Sequence, residues 1–201
     1  IIDVTLKWSR NEYAEALLDY YESRGVPVIN PVGAYRFEKS KALQLGLLER
    51  LRVRYPRAVV VNNRDQVLKA ADRVRFPLVI KPNVGGSGAG IVRFGSPGEL
   101  EVALPSLQFG PDGVALLQEY LEAADGVVRV EVLDGHYLYA IRLVRDAGAS
   151  FNLCPADVCQ TPAATGGNLE ACPAEAPTRP GVTVMRYDAP AEAVEGALAL
   201  A

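Results

Sequence analysis

The chain has 201 residues, of which 49% are apolar and 22% charged, with a formal net charge of −3. That is the composition of a globular protein of one or two domains with a core of its own. No basic run points to nucleic acid or a membrane surface, no apolar stretch approaches the ~20 residues of a membrane span, and three cysteines, an odd number in a chain too large to need staples, predict a reducing cytoplasm.

Taken in chain order, residues 11–25 (NEYAEALLDYYESRG) predict a helix with Leu17, Leu18 and Tyr21 on one face and Gly25 at its C-terminal end. VPVIN (26–30) reads as a short strand. Residues 38–51 predict a second helix, with Leu43, Leu47, Leu48 and Leu51 at helical spacing. Tyr55-Pro56 breaks it, and RAVVVN (57–62) is strand-like. Asn62 or Asn63 can cap a third helix running through Val74. Leu78-Val79-Ile80 is a short apolar run with prolines on both sides, the pattern of a buried strand. A strand follows at 91–94, and Ser96-Pro97 opens a helix to about Leu104 as N-cap and first-turn proline. Three more strands are predicted at 114–121, 126–133 and 137–144, with Asp134-Gly135 as the hairpin turn between the last two. Residues 146–180 are rich in Gly, Ala, Pro, Asn and Thr and read as a long loop. The final residues, APAEAVEGALALA, read as a helix with no stop signal, and the first carry no initiator Met or signal-peptide pattern. The expectation is an internal piece of a longer protein. The order of elements is α+β rather than strictly alternating βαβ.

The most informative stretch is KPNVGGSGAGI, residues 81–91. Glycine costs backbone entropy on folding, so a cluster must supply unrestricted φ or room for close approach. A P-loop needs its Lys after the glycines and a helix behind them, and a dinucleotide fingerprint must also open a helix. Here Lys81 comes first and a strand follows. A flexible hairpin remains, able to lay backbone N–H groups over phosphates while Lys81 supplies a point charge. The plain structural alternative is a hairpin with no ligand.

Read together, these residues resemble the ATP-grasp superfamily, and within it the RimK-like and glutathione-synthetase-like carboxylate–amine ligases. FPLVIKPNVGGSGAGI (76–91) is similar to the family's strand, Lys and glycine loop. LLQEYL (116–121) is similar to the segment linking its two subdomains, and DGHYLYAIRL (134–143) to the strand pair that follows. Lys41, fifteen positions before Pro56, stands close to where the family has a Lys at the entrance to the ATP region.

The resemblance implies an α+β ATP-grasp fold, two subdomains with the nucleotide cleft between them. Residues 1–33 would end an N-terminal, pre-ATP-grasp domain, 34–120 would form the small subdomain with the glycine-rich hairpin, and 121–201 would begin a large subdomain whose C-terminal part is missing. It implies ATP and Mg2+ as cofactors. Lys41 and Lys81 would contact the phosphates, and Gly86, Ser87 and Gly88 would close over them. The main chain of Glu119, Tyr120 and Leu121 would hydrogen-bond the adenine edge, with Gln118 alongside. Arg129 and Arg142 would point into the cleft and meet phosphate or acyl-phosphate charge as the catalytic pair. Asn152 would sit near the triphosphate and metal. The implied reaction is ATP-dependent amide-bond formation between a small-molecule or peptide carboxylate and an amine such as an amino acid, through an acyl phosphate, with ADP and phosphate released. Neither nucleic acid nor membrane is implied, and a homo-oligomer is left open. The rival reading is a nucleotide-binding regulatory or scaffold module without catalysis.

The chain departs from the family in three places. Val127 replaces the acid that normally holds the ribose, so Asp125 or Glu122 would have to substitute. Arg52 stands where the family favours Gly after the second helix, which predicts an altered cap. The family's magnesium ligands, an acid and a Glu-x-Asn pair, are expected after residue 201. His136, the only histidine, follows the hairpin turn and reads as a surface residue. Cys154, Cys159 and Cys172 have spacings that fit no standard zinc pattern. Arg145 reads as a solvated sheet residue.

Overall fold

The computed structural model describes residues 11–85, 90–145 and 182–201. The chain divides into two compact units that meet in sequence between Tyr120 and Leu121.

The first unit opens with α1 (Asn11–Ser23) and α2 (Val32–Lys39). They are joined by Glu15, which accepts from Arg36 at 2.6 Å and from Lys39. The Lys39 hydrogen bond, then that of Arg36, holds the Glu15 carboxyl below its ordinary range. The strand expected at 26–30 is absent. Those residues are irregular, with Ile29 95% exposed, and Pro27 within the stretch and Pro31 after it have no N–H to offer a ladder.

The single helix expected over 38–51 is two helices. It starts earlier, at Val32, and is interrupted at Ser40, whose backbone is extended (φ −117°, ψ 108°) before α3 (Lys41–Arg50). Pro31, at the N-cap of α2, makes no side-chain capping bond, which is why the start carried no signal. The Leu face expected for α3 is only half met, because none of its residues is fully buried. The end of α3 also differs from expectation. Arg52 takes the left-handed conformation (φ 57°), and the Arg52 and Val53 amides bond the Glu49 and Leu48 carbonyls at 3.0 and 2.9 Å. The chain is capped as a Gly would cap it, with Arg bearing the steric cost.

A four-stranded antiparallel sheet follows, in the order β1-β4-β2-β3. Its strands are β1 (Ala58–Val61), β2 (Leu78–Pro82), β3 (Val92–Phe94) and β4 (Ala115–Glu119). Between β1 and β2, Asn63 caps a short 3-10 turn by accepting from the Asp65 amide at 3.0 Å, and α4 (Val67–Ala71) ends before the expected Val74. After β3, Ser96 caps α5 (Pro97–Ala103) with Pro97 in the first turn. One sheet face supplies Val61, Leu78, Ile80, Phe94, Ala115 and Leu117 to the core, where they meet Val67, Ala71 and Leu100 from the helices.

The second unit is a three-stranded antiparallel sheet of β5 (Val127–Leu133), β6 (His136–Arg145) and β7 (Val182–Tyr187), followed by α6 (Ala191–Leu200) against β5 and β6. Asp134 and Gly135 both have positive φ, 51° and 70°, as a two-residue turn of the twisted hairpin kind requires. Just beyond the turn, Leu138 has no partner: Val132 faces Tyr137 and Glu131 faces Tyr139. β7 carried no sequence signal because most of it is exposed on an edge strand. The loop expected at 146–180 lies outside the described residues.

Replacing Arg52 by Gly removes the left-handed penalty while keeping both capping bonds. The expected outcome is a gain of about 1 kcal/mol in unfolding free energy, smaller if the freer unfolded chain offsets it. Urea denaturation of Arg52→Gly checks it.

Candidate functional site

Lys81 is placed by the core. Side chains alternate along β2, so packing Leu78 and Ile80 inward commits Val79 and Lys81 to the opposite face. In the register of the sheet, Lys81 faces Leu116, and Val79 lies between Gln118 and Arg93. One face therefore carries Lys81, Gln118 and Arg93 over a floor that includes Val79 and the fully buried Leu116.

The Lys81 ammonium is largely withdrawn from water and has no hydrogen bond or ion pair among the described residues. Burial lowers its pKa to about 8, and the nearby Lys41 charge pushes in the same direction. Lys41, at the start of α3, is differently held. Its Nζ donates to the carbonyls of Asn83 (3.0 Å) and Gly85 (2.7 Å). Burial lowers its pKa, and the Asp112 carboxylate opposes the shift. Two ammonium groups converge here on the base of the glycine hairpin, and an ammonium has three donors. An unpaired, desolvated cation beside a second cation is an arrangement that a polyanion would relieve.

The hairpin leaves Pro82 tightly packed. Gly90 has φ 72°, and a Cβ there would approach Pro82 Cγ to 2.9 Å, so only glycine fits. Gly86, Ser87 and Gly88 lie outside the described residues, as do Asn152 and the three cysteines. Sequence reasoning missed Asn83, which is buried, and Asp112. Neither lies in a periodic pattern that marks it.

At the end of β4 the amides of Glu119 and Tyr120 are already committed, to the Arg57 and Pro77 carbonyls at 2.9 and 2.8 Å. The Arg93 guanidinium stacks over the Tyr120 ring at 4.5 Å. Asp125 lies in the turn before β5, and Glu122 approaches Arg145 at 4.0 Å.

Arg129 and Arg142 do not share a face. Counted from the hairpin turn without a bulge, Arg142 would face Val127 and lie on the side of Arg129. The unpartnered Leu138 shifts the strand by one, so Arg142 faces Val128 and Met185, while Arg129 faces Ile141 and, beyond it, Arg186. The two expected catalytic arginines therefore cannot both reach a ligand lying against one face of this sheet. Arg142 stacks on the Tyr187 ring at 3.8 Å, and its buried Nε has no partner among the described residues. Arg145 lies on the Arg129 face. His136 is exposed, with Nδ1 2.6 Å from the Asp134 carbonyl oxygen. Among the described residues no group of three or more His, Cys, Asp or Glu could hold a metal ion. No helix among them is long and apolar enough to cross a membrane.

No family model matches the chain. The carbamoyl phosphate synthase large chain of Kocuria rhizophila is 29% identical over 101 residues, 49% of this chain and 9% of that protein. The D-alanine–D-alanine ligase of Bacillus anthracis superposes with a TM-score of 0.61 at 20% identity, over 94% of this chain and 57% of that one. The ATP-grasp ligase PsnB, solved with a precursor variant, Mg and ADP, gives 0.59 at 20% identity over 96% and 50%. This chain thus spans about a tenth of the curated relative, little more than half of the first structure and half of the second. The fold is α+β and of the ATP-grasp kind.

Lys81 costs stability wherever it must be charged in the fold. Its folded pKa of about 8 lies below the ordinary 10.5, so between those values the unfolded chain binds more protons and stability rises with pH. Lys81→Met should melt at a higher temperature than wild type at pH 7, with the gap narrowing towards pH 10. Thermal melts across that range check it.

Proposed function

We propose that the protein is an ATP-dependent carboxylate–amine ligase, and the observation that carries this is the partly buried, unpaired Lys81 ammonium beside Lys41. A substrate carboxylate attacks the γ-phosphorus of ATP, giving an acyl phosphate and ADP. An amine adds to the acyl carbon, loses its proton, and phosphate leaves as the amide forms. The protein supplies position and charge neutralisation rather than covalent chemistry. Lys81 and Lys41 hold the phosphates. A magnesium ion, when bound, would offset phosphate charge.

Adenine needs one N–H donor for a ring nitrogen and one acceptor for its amino group. With the Glu119 and Tyr120 amides committed, the donor falls to Leu121 and the acceptor to a carbonyl of the same stretch, with Gln118 on the Lys81 face alongside. Arg129, exposed and without an ion pair among the described residues, is the arginine able to meet phosphoryl charge from its strand. Asp125 or Glu122 would replace the ribose acid that Val127 lacks, and the resemblance adds Gly86, Ser87, Gly88 and Asn152 to the phosphate contacts. In domain terms, 34–120 is the small ATP-grasp subdomain, 1–33 ends the domain before it, and 121–201 begins the large one.

The substrates are a small-molecule or peptide carboxylate and an amine of the amino-acid kind. Two neighbours support that class: one is named a D-alanine–D-alanine ligase, and PsnB was solved with a precursor peptide and an ATP analogue. A cytoplasmic location, where ATP is plentiful, follows from the same reading.

The test is phosphate release by the intact protein with ATP, magnesium and pools of carboxylates and amines. Release that needs both pools is expected. ATP binding without release in any pool favours a non-catalytic nucleotide-binding module, and no ATP binding overturns the reading. Lys81→Ala should weaken ATP by tenfold or more, about 1.4 kcal/mol, by calorimetry.

A further inference from the structure

Asn83 spends all its polar atoms on one junction. It is 6% exposed. Its amide donates to the Val114 carbonyl (3.0 Å), and its carbonyl accepts from the Lys41 amide (3.4 Å) and from Lys41 Nζ (3.0 Å). Its Oδ1 accepts from the Ala42 amide (2.8 Å) and Ser40 Oγ (3.2 Å), and its Nδ2 donates to Asp112 Oδ2 at 2.6 Å. Asp112 is itself fixed by the Val114 amide, which donates to Oδ1 at 3.3 Å. The junction lies where Ser40 interrupts the helical run and bridges Val84. Without the break at Ser40, no backbone edge would be open there for Asn83 to bond.

We propose that Asn83 and Asp112 are positioning residues for Lys41: together they fasten the start of α3 to the end of β2 so that the Lys41 ammonium stands beside Lys81 with one N–H left for an anion. The proposal rests on the nucleotide reading of these two lysines. Two lysines brought together in a poorly hydrated site repel, and each carries a cost of burial. Carbonyl oxygens from Asn83 and Gly85 take two of the three Lys41 donors, and Asp112 places a negative charge behind the contact without touching the ammonium. The charge that opposes the burial shift of Lys41 is Asp112, from the loop before β4, and the Lys41 charge in turn acts on Lys81 from β2. The carboxylate serves the clamp in two ways: its two oxygens accept separately from Asn83 Nδ2 and the Val114 amide, which the single oxygen of a neutral amide could not both keep, and its charge faces Lys41.

Asp112→Asn tests the role of that residue: it removes the charge and leaves one oxygen to accept from Asn83 or Val114. In the intact protein, NMR titration of the Lys41 ammonium should show it losing its proton at lower pH in Asp112→Asn than in wild type. ATP affinity by calorimetry should start to fall at correspondingly lower pH. Asn83→Ala keeps the backbone carbonyl on Lys41 Nζ but loses the side-chain bonds to Asp112, Ala42 and Ser40, and should weaken ATP about tenfold by loosening the start of α3. If Asn83→Ala does not fold, Asp112→Asn alone decides. A Lys41 titration that is the same in wild type and Asp112→Asn overturns the proposal. Wild type that fails to bind ATP while the Lys41 titration still shifts leaves the clamp standing and removes the nucleotide reading. Wild type that binds ATP with an unmoved pH profile in Asp112→Asn does the reverse.

Discussion

The pairing of β2 with β4 over five residue pairs, from Leu78 opposite Glu119 to Pro82 opposite Ala115, fixes both the core and the charged face of the first unit. Strand side chains alternate, so a register that buries Leu78, Ile80, Ala115 and Leu117 on one side has no freedom left on the other. Lys81 falls beside Leu116, and Gln118 beside Val79. A slip of one residue would drive the ammonium into the apolar core, where an unpaired charge is far costlier than in its present half-shielded position. Core packing and the placing of the cation are thus one constraint.

That constraint explains where Lys81 is but not why a second lysine can stand near it. The second comes from a different element, α3, whose first residues are tied to the chain just beyond β2. The tie is polar and every polar atom of Asn83 in it has a partner, which favours a network that specifies a position rather than one that weakens the fold. Carbonyl dipoles at Asn83 and Gly85 act as partial counter-charges for Lys41. Lys81 has none among the described residues, and that imbalance is the observation on which the proposed anion site rests.

The parts legible in the sequence were those that depend on neighbours along the chain. The apolar run before Lys81, the Ser96-Pro97 start of α5, the Asp134-Gly135 turn and the amphipathic α1 all carry their cause within a few residues. What was not legible depended on partners far away. The break at Ser40 answers to Asn83, forty-three residues on. The start of α2 follows a proline with no capping side chain, and β7 is a strand because β6 offers it an edge. Arg52 shows the limit from the other side: its side chain argues against the left-handed cap, and the closing hydrogen bonds impose it. The opposite facing of Arg129 and Arg142 was hidden for a similar reason. Parity along a strand can be counted only when every residue is paired, and Leu138 is not.

Leu138 also works as an expansion joint. Because the surplus residue sits next to the turn, the pairs beyond it, from Glu131 with Tyr139 to Val127 with Leu143, are already in regular alternation. Losing Leu138 would shorten the tip and leave every one of those pairs, and the side occupied by each arginine, as they are. An insertion on the far side of Tyr139 has no such buffer and would turn Arg142 and Arg145 over together. The hairpin can therefore drift in length at its exposed end during descent while the arginine-bearing stretch keeps its orientation.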